Sequence, residues 1–145
     1  MVDRVTKEER SRIMSRIRSE SAYEAELARV LRREMRVDRN RADLPGRPDL
    51  YLPGARLAVF VHGCFWHGCP RHYREPKSNV RFWREKVRRN RERDRRVQRA
   101  LQRAGYRTMV VWTHLEIGDA AVRVLLRYLR EKELDSCSGS TTGSS

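Results

Sequence analysis

The sequence is short of several features that define whole classes of protein. It has three cysteines in 145 residues, too few for a disulfide framework. No run approaches the roughly 18 apolar residues of a membrane-spanning helix, and the first residues lack the apolar segment of a secretory signal. Lysine is also scarce, since only four of the 33 basic residues are Lys. We therefore expect a cytoplasmic protein with no membrane partner.

What the chain has in excess is arginine. Its 33 basic residues face 19 acidic ones, which gives a formal net charge of +14. Hydrophobic residues make up 39% of the chain, enough for the single core of one domain of this length. Such a charge favours an acidic, polyphosphate partner. An arginine-rich genome composition is an alternative explanation of the charge.

Periodicity and turn residues divide the chain into three parts. Residues 1–20 are polar and basic and form an arm, residues 21–134 form the folded domain, and the Ser/Gly/Thr-rich residues 135–145 form a disordered tail. Ser21 and Glu24 have the spacing of a capping box, which predicts that a helix begins there and covers residues 22–36.

The folded domain alternates helices and strands. Residues 49–52 and 57–61 flank a Pro-Gly turn and predict a hairpin. An apolar stripe through residues 83–101 predicts a helix over 79–104, followed by a strand over 107–112 and a last helix that Asp119 can cap. This order predicts a small α/β sandwich with a mixed sheet.

The two cysteines of the central loop have the spacing of metal ligands. Cys64, Cys69 and His72 form a C-x4-C-x2-H pattern, and His114 at the end of the 107–112 strand is the best fourth ligand. In a reducing cytosol such a cluster indicates structural zinc more often than a disulfide. His67 competes for a zinc position, and unrelated buried thiols are the alternative.

Four polar residues are candidates for acid–base and hard-metal chemistry. Asp49 enters a strand after a proline, where a carboxylate can bind Mg²⁺ or form a turn. His62 and His67 follow a buried strand, at the edge where α/β sheets gather ligands, and either can be a general base. Asp94 interrupts an apolar stripe and so needs a partner, which is a cation, a His, a metal-bound water or an arginine.

The helix predicted over 79–104 concentrates the positive charge. Residues 81–103 hold eleven basic and three acidic side chains, a net of +8 that needs an anionic partner. Aromatic residues flank this run and can stack on bases, or can simply pack in the core. The predicted phosphate track includes Arg88, Arg89 and Arg95, and the aromatics are Phe65, Trp66, Phe82 and Trp83.

Four motifs together resemble one family. LPGRPD at 44–49, HGCFWH at 62–67, FW at 82–83 and NRERDRR at 90–96 resemble the very-short-patch-repair (Vsr) DNA mismatch endonucleases over about residues 8–133. The resemblance implies a restriction-endonuclease-like fold of the PD-(D/E)xK superfamily, a three-layer α/β sandwich with a mixed central sheet and a structural zinc site. It also implies a Mg²⁺-dependent nick 5′ of the mismatched thymine in a T·G pair, which starts repair of deaminated 5-methylcytosine.

The same resemblance implies roles for the catalytic candidates. Asp49 would bind Mg²⁺ with the backbone carbonyl of Val61. His67 would be the general base, Asp94 would orient it, and His62 would contact the scissile phosphate or a metal-bound water. Glu24 would bind a metal-bound water, beyond its capping role.

The remaining implied roles concern DNA and zinc. Aromatic side chains would form a wedge beside the mismatch, and Met14 would insert from the other groove; the wedge residues are Phe65, Trp66 and Trp83. Zinc would be held by Cys64, Cys69, His72 and His114. The expected partner is duplex DNA with a T·G mismatch, bound by a monomer acting at the bacterial nucleoid. A non-catalytic zinc-stapled DNA-binding module and a restriction-type nuclease of the same fold remain alternatives.

Overall fold

The first helix begins earlier than the sequence predicts. The computed structural model describes residues 6–139, and in it α1 is one helix over Lys7–Leu31. Thr6 caps it, because its hydroxyl accepts from the Glu9 amide at 3.1 Å while the Glu9 carboxylate accepts from the Thr6 amide at 2.9 Å. The predicted cap at Ser21 is therefore wrong, since Ser21 lies inside α1. An earlier capping box of the same pattern starts the helix and absorbs most of the predicted arm.

Within the described residues, four strands form one mixed sheet in the order β1-β2-β3-β4. They cover Asp38–Arg39, Leu50–Leu52, Leu57–His62 and Arg107–Trp112. β2 pairs antiparallel with both β1 and β3, which confirms the predicted hairpin, and β4 runs parallel to β3. β1 is not predicted from the sequence, because two residues are too short a segment to show a hydrophobic period.

The two faces of the sheet pack against different helices. Alternate residues of β3, such as Val59, join a core cluster with α1 and with α3, the helix over Ile117–Gly139. The intervening residues, such as Phe60, pack in a second cluster with Leu101 of α2, the helix over Val80–Arg103. Because side chains alternate across a strand, this arrangement makes three layers, as predicted.

The last helix is longer than predicted. α3 runs to Gly139, so residues 135–139 of the predicted tail are helical, and 140–145 lie outside the described residues. Arg107 of β4 donates to the Asp135 carboxylate at 2.9 Å, and the Ser136 hydroxyl donates to the Lys132 carbonyl at 3.0 Å. The first contact ties the end of α3 to the sheet, and the second lies within α3 itself. Among residues 6–139, no helix is long and apolar enough to cross a membrane.

Candidate active site and metal centre

A cleft of about 650 Å³ opens where β3 ends and β2 begins. Since these strands are antiparallel, the residue before β2 and the last residues of β3 meet at one edge of the sheet. Helix α1 closes one side of the cleft and α2 the other. The acidic and imidazole side chains that line it are Glu20, Glu24, Asp49, His62, His67 and Asp94.

Two histidines and one carboxylate form a compact unit in this cleft. His67 Nδ1 lies 2.5 Å from Asp94 Oδ2, and the same oxygen is 3.9 Å from His62 Nε2. The two imidazole rings stack with centroids 3.9 Å apart and planes 4° apart. The partner that Asp94 needs on its apolar stripe is therefore His67, and not one of the many arginines.

The electrostatics of this unit assign different roles to the two rings. Burial, followed by the positive charge of His67, lowers the pKa of His62 to about 4, so that His62 is neutral at pH 7. Burial raises the pKa of Asp94, but the hydrogen bond and charge of His67 outweigh it and hold this pKa below its usual value. An ionised Asp94 stabilises the positive charge that forms when His67 takes up a proton.

Two carboxylates face each other beside the histidines. Asp49 Oδ2 accepts a hydrogen bond from the Val61 amide at 2.7 Å, and the Glu24 carboxylate lies close enough to Asp49 for each to shift the pKa of the other. Burial, then the nearby charge of Asp49, raises the pKa of Glu24 to about 7. The Arg39 guanidinium lies 3.6 Å from Glu24 and opposes this rise. Two partly buried, mutually repelling carboxylates are a suitable donor set for a hard divalent cation.

The backbone beside Asp49 supplies another oxygen. The register of β2 on β3 pairs Leu50 with Val59, so Pro48 is the residue opposite Val61. Proline has no amide hydrogen and cannot donate to the Val61 carbonyl across the sheet. This carbonyl points to the same side of β3 as the Val61 amide that binds Asp49. The strand therefore leaves an oxygen donor free next to the carboxylate pair.

The predicted zinc ligands come together in a second cluster. Cys64 Sγ lies 3.3 Å from His114 Nδ1, and Cys69 Sγ lies 3.7 and 3.8 Å from the Nδ1 atoms of His114 and His72. Tetrahedral zinc with usual bond lengths places sulfur and nitrogen ligands about 3.5 Å apart. Burial raises the pKa of Cys69, but hydrogen bonds with His72 and nearby backbone lower it to about 7, towards the thiolate that binds metals. His67 groups with His62 and Asp94 instead.

Side chains of α2 hold the loop between the two clusters. Asn90 Nδ2 donates to the Trp66 carbonyl at 3.0 Å, and Arg91 donates to the Gly68 carbonyl at 2.6 Å and the His67 carbonyl at 3.3 Å. Gly68 has a φ of 62°, the left-handed conformation in which glycine is unstrained. These bonds hold the backbone on both sides of His67, while Asp94 holds its ring.

Aromatic residues form one contact group beside the cleft. The Phe65 ring lies 5.2 Å from Trp66 and 5.3 Å from Trp83, while Phe82 is half exposed. Three of these four rings border a groove next to His67 and Asn90, together with Ile13 and Ile17 of α1; the three are Trp66, Phe82 and Trp83. Met14 is 52% exposed on α1 but does not line this groove. The structure thus brings the three predicted wedge rings into contact, but it buries Trp83 to 4% exposure and leaves Met14 outside the groove.

The predicted phosphate track does not line the cleft. Arg88 pairs with Glu85 and, at 2.6 Å, with Glu92, and Arg89 lies 3.3 Å from Glu85. Arg95 and Arg88 border a separate groove on another side of α2. The arginine of α2 that lines the cleft is Arg93.

Sequence reasoning missed Glu20. It lies one turn before Glu24 on α1 and lines both the cleft and the aromatic groove. Burial is the main cause of its raised pKa, and the charge of His67 opposes the rise. Its carboxylate covers Gly63 so closely that a Cβ there would collide with it. The i, i+4 spacing to Glu24 would have revealed it only with the knowledge that α1 continues through the predicted arm.

Comparisons with known proteins give a consistent result. The profile of the family described as DNA mismatch endonuclease Vsr matches residues 2–73. The chain is 42% identical over 116 residues to the type II nicking enzyme V.XorIIP of Xanthomonas oryzae pv. oryzae, covering 77% of this chain and 85% of the relative. It is 47% identical over 79 residues to the type II nicking enzyme V.NaeI of Lentzea aerocolonigenes, covering 54% and 48%. It is 44% identical over 72 residues to the DNA mismatch endonuclease Vsr of Escherichia coli K12, covering 49% and 46%.

Proposed function

Because the chain belongs to the Vsr family of DNA mismatch endonucleases, we propose that it nicks one DNA strand 5′ of the thymine in a T·G mismatch and requires Mg²⁺. The observation that carries this proposal is the 2.5 Å contact between His67 and Asp94, next to the Asp49–Glu24 pair. A binding module would have no use for an oriented imidazole beside two repelling carboxylates.

The proposed proton transfer depends on His67. Its Nδ1 faces Asp94, which leaves Nε2 as the atom that accepts the proton of the attacking water. His62 stays neutral because of its lowered pKa and can donate one N–H to a phosphate oxygen without adding a second positive charge beside His67. In-line attack on phosphorus breaks the bond to the 3′ oxygen and leaves a 3′-hydroxyl and a 5′-phosphate.

The donor sets fit the two expected metals. Asp49 and the Val61 carbonyl would hold Mg²⁺, with Glu24 beside them to hold a coordinated water. When bound, Mg²⁺ polarises the phosphodiester and lowers the pKa of a coordinated water. Zinc would be structural and would be held by the two thiolates and two imidazoles of the second cluster, which offer no open position.

The aromatic group supports selection for a mismatch. Inserting rings between base pairs costs a few kcal/mol for each unstacked step. A T·G pair is already weaker than a matched pair, so the cost of opening it is lower. Phe65, Trp66 and Trp83 would form this wedge at the edge of the cleft, and Met14 would approach from the other groove.

The deciding experiment is a nicking assay on one duplex sequence in three forms. A T·G heteroduplex and the T·A and C·G homoduplexes, labelled separately on each strand, are incubated with and without Mg²⁺. We expect cleavage of the thymine strand of the T·G duplex alone, and only with Mg²⁺. Equal cleavage of the homoduplexes would indicate a restriction-type nuclease, and binding without cleavage would indicate a non-catalytic module.

The setting of this activity follows from the relatives. The matched proteins named above come from bacteria, which supports action on chromosomal DNA in a bacterial cytoplasm. We expect a monomer, because one chain carries both the His67–Asp94 pair and the Asp49–Glu24 pair. Sedimentation of the protein with one T·G duplex would check this, and a complex of two chains on one duplex would contradict it.

A further inference from the structure

One face of α2 carries only arginine among its charged residues. At 100° per residue, six arginines fall within about 80° of one another around the helix axis, and no Asp or Glu lies in that sector. We call this set the arginine ridge. Its members are Arg81, Arg84, Arg88, Arg91, Arg95 and Arg99, all of them exposed.

The ridge lies away from the cleft. Its centre is roughly 110° around α2 from Asp94, and none of the six arginines lines the cleft or the aromatic groove. Four of them border a different groove with Tyr73 and Glu75. DNA that contacts only the side chains lining the cleft and the aromatic groove would leave this face free.

Much of the positive charge of the ridge is available to bind an external anion. Arg81, Arg95 and Arg99 have no ion pair or hydrogen bond within residues 6–139. Arg84 and Arg88 hold exposed carboxylates, which are weakly bound and can exchange for phosphate oxygens. Arginines three and four residues apart repel each other on a helix, so an anionic partner would stabilise the ridge.

The chemistry of the ridge favours a nucleic-acid backbone over an acidic protein. Protein interfaces place apolar and aromatic residues at their centre, whereas arginines dominate the ridge, and Tyr73 and Val87 lie only in the groove beside it. Guanidinium groups bind phosphates with two parallel hydrogen bonds. From Arg81 to Arg99 the ridge is about 27 Å long, which is the length of about eight base pairs of duplex.

We propose that the arginine ridge binds a second segment of duplex DNA, by its phosphate backbone and without sequence preference, while the cleft holds the first. The inference rests on the proposed action of the cleft on DNA. It would allow one molecule to sample a neighbouring segment before it leaves the first.

The test is co-diffusion of two duplexes on one protein molecule. A 16-base-pair T·G duplex and a fully paired duplex of the same length carry different dyes and are mixed with the full chain without Mg²⁺. We expect both dyes to diffuse together, with sedimentation giving one protein for two duplexes. Arg95→Gln/Arg99→Gln should lose at least fivefold of this co-diffusion. Arg96→Gln/Arg103→Gln, with the same charge loss on another exposed side of α2, should keep it.

Salt dependence gives a second readout. Removing two phosphate contacts should lower the slope of log affinity for the second duplex against log salt by about two. One duplex per protein, or equal effects of the two variants, would overturn the proposal. Weaker binding of the T·G duplex alone by the ridge variant would also overturn it, by placing the ridge in the cleft interface. Preferred binding of polyglutamate would assign the ridge to an acidic protein.

The outcome is separate from that of the nicking assay. A protein that cuts matched and mismatched DNA equally would contradict the proposed function, but co-diffusion requires no cleavage. A protein that nicks only T·G duplexes and carries one duplex at a time would contradict the ridge proposal alone.

Discussion

Asp94 acts on His67 in two ways, because its negative charge stabilises the protonated ring and its oxygen fixes the direction of Nδ1. Replacing one carboxylate oxygen by an amide group separates these two effects. Asp94→Asn keeps the size of the side chain and an oxygen that can face Nδ1, but it removes the negative charge. We expect the single-turnover nicking rate to fall about 10²- to 10⁴-fold, with DNA affinity nearly unchanged. Glu92→Gln, on the same helix outside the cleft, is the control. An unchanged rate in Asp94→Asn would remove Asp94 from the proton-transfer step.

Asp49 accepts a hydrogen bond from the backbone of β3 and is also the proposed ligand of Mg²⁺. Asp49→Asn can still accept from the Val61 amide, but it loses the charge that a divalent cation needs. We expect T·G duplex binding to persist and Mg²⁺-dependent nicking to fall below detection. Asp43→Asn, an exposed carboxylate paired with Arg41, should nick normally. Full activity of Asp49→Asn at ordinary Mg²⁺ concentrations would place the metal elsewhere.

At the scale of elements, α1 divides into a buried and an exposed half. Leu27 is fully buried against the sheet, while Ile17 is 47% exposed. Leu27→Ala should reduce the free energy of unfolding by about 2–5 kcal/mol, because it leaves a cavity in the core. Ile17→Ala should change it by less than about 0.5 kcal/mol. Urea denaturation measures both, and similar losses would contradict this division.

The loop between β3 and α2 depends on its second cluster. Elemental analysis should find about one zinc per chain. Cys69→Ser should lose this zinc, because it removes one of four ligands, whereas Cys137→Ser on α3 should retain it. Thermal unfolding should shift downwards for Cys69→Ser alone. A full zinc content in Cys69→Ser would refute the assignment of the cluster.

The elements also show where sequence reasoning succeeded. The 3.6-residue stripe through Trp83 and Leu101 located α2 to within a residue at each end, because a long amphipathic helix has a strong period. The same stripe identified Asp94 as a candidate site residue, because a carboxylate on an apolar helix face needs a partner. The start of α1 could not be found this way, since Thr6 and Ser21 both begin capping-box patterns and only packing decides between them. Glu20 was missed for that reason.

At the scale of the whole molecule, the charge of +14 should control DNA affinity. The logarithm of the binding constant should fall linearly with that of the salt concentration, with a slope of about −0.9 for each phosphate neutralised. Fluorescence anisotropy of a labelled T·G duplex between 50 and 200 mM salt, or about that range, measures the slope. A flat dependence would assign the charge to composition bias rather than to binding.

The unbroken course of α1 has a mechanical consequence. The helix is a single rod from its Thr6 cap to Leu31, and Met14 and Glu24 are about 15 Å apart along it. A rod of this kind passes on a tilt or a rotation of one end to the other. Met14 at the solvent-facing part of α1 and the cleft carboxylates Glu20 and Glu24 therefore belong to one continuous helix, and a displacement of that helix as a rigid body would carry all three side chains together.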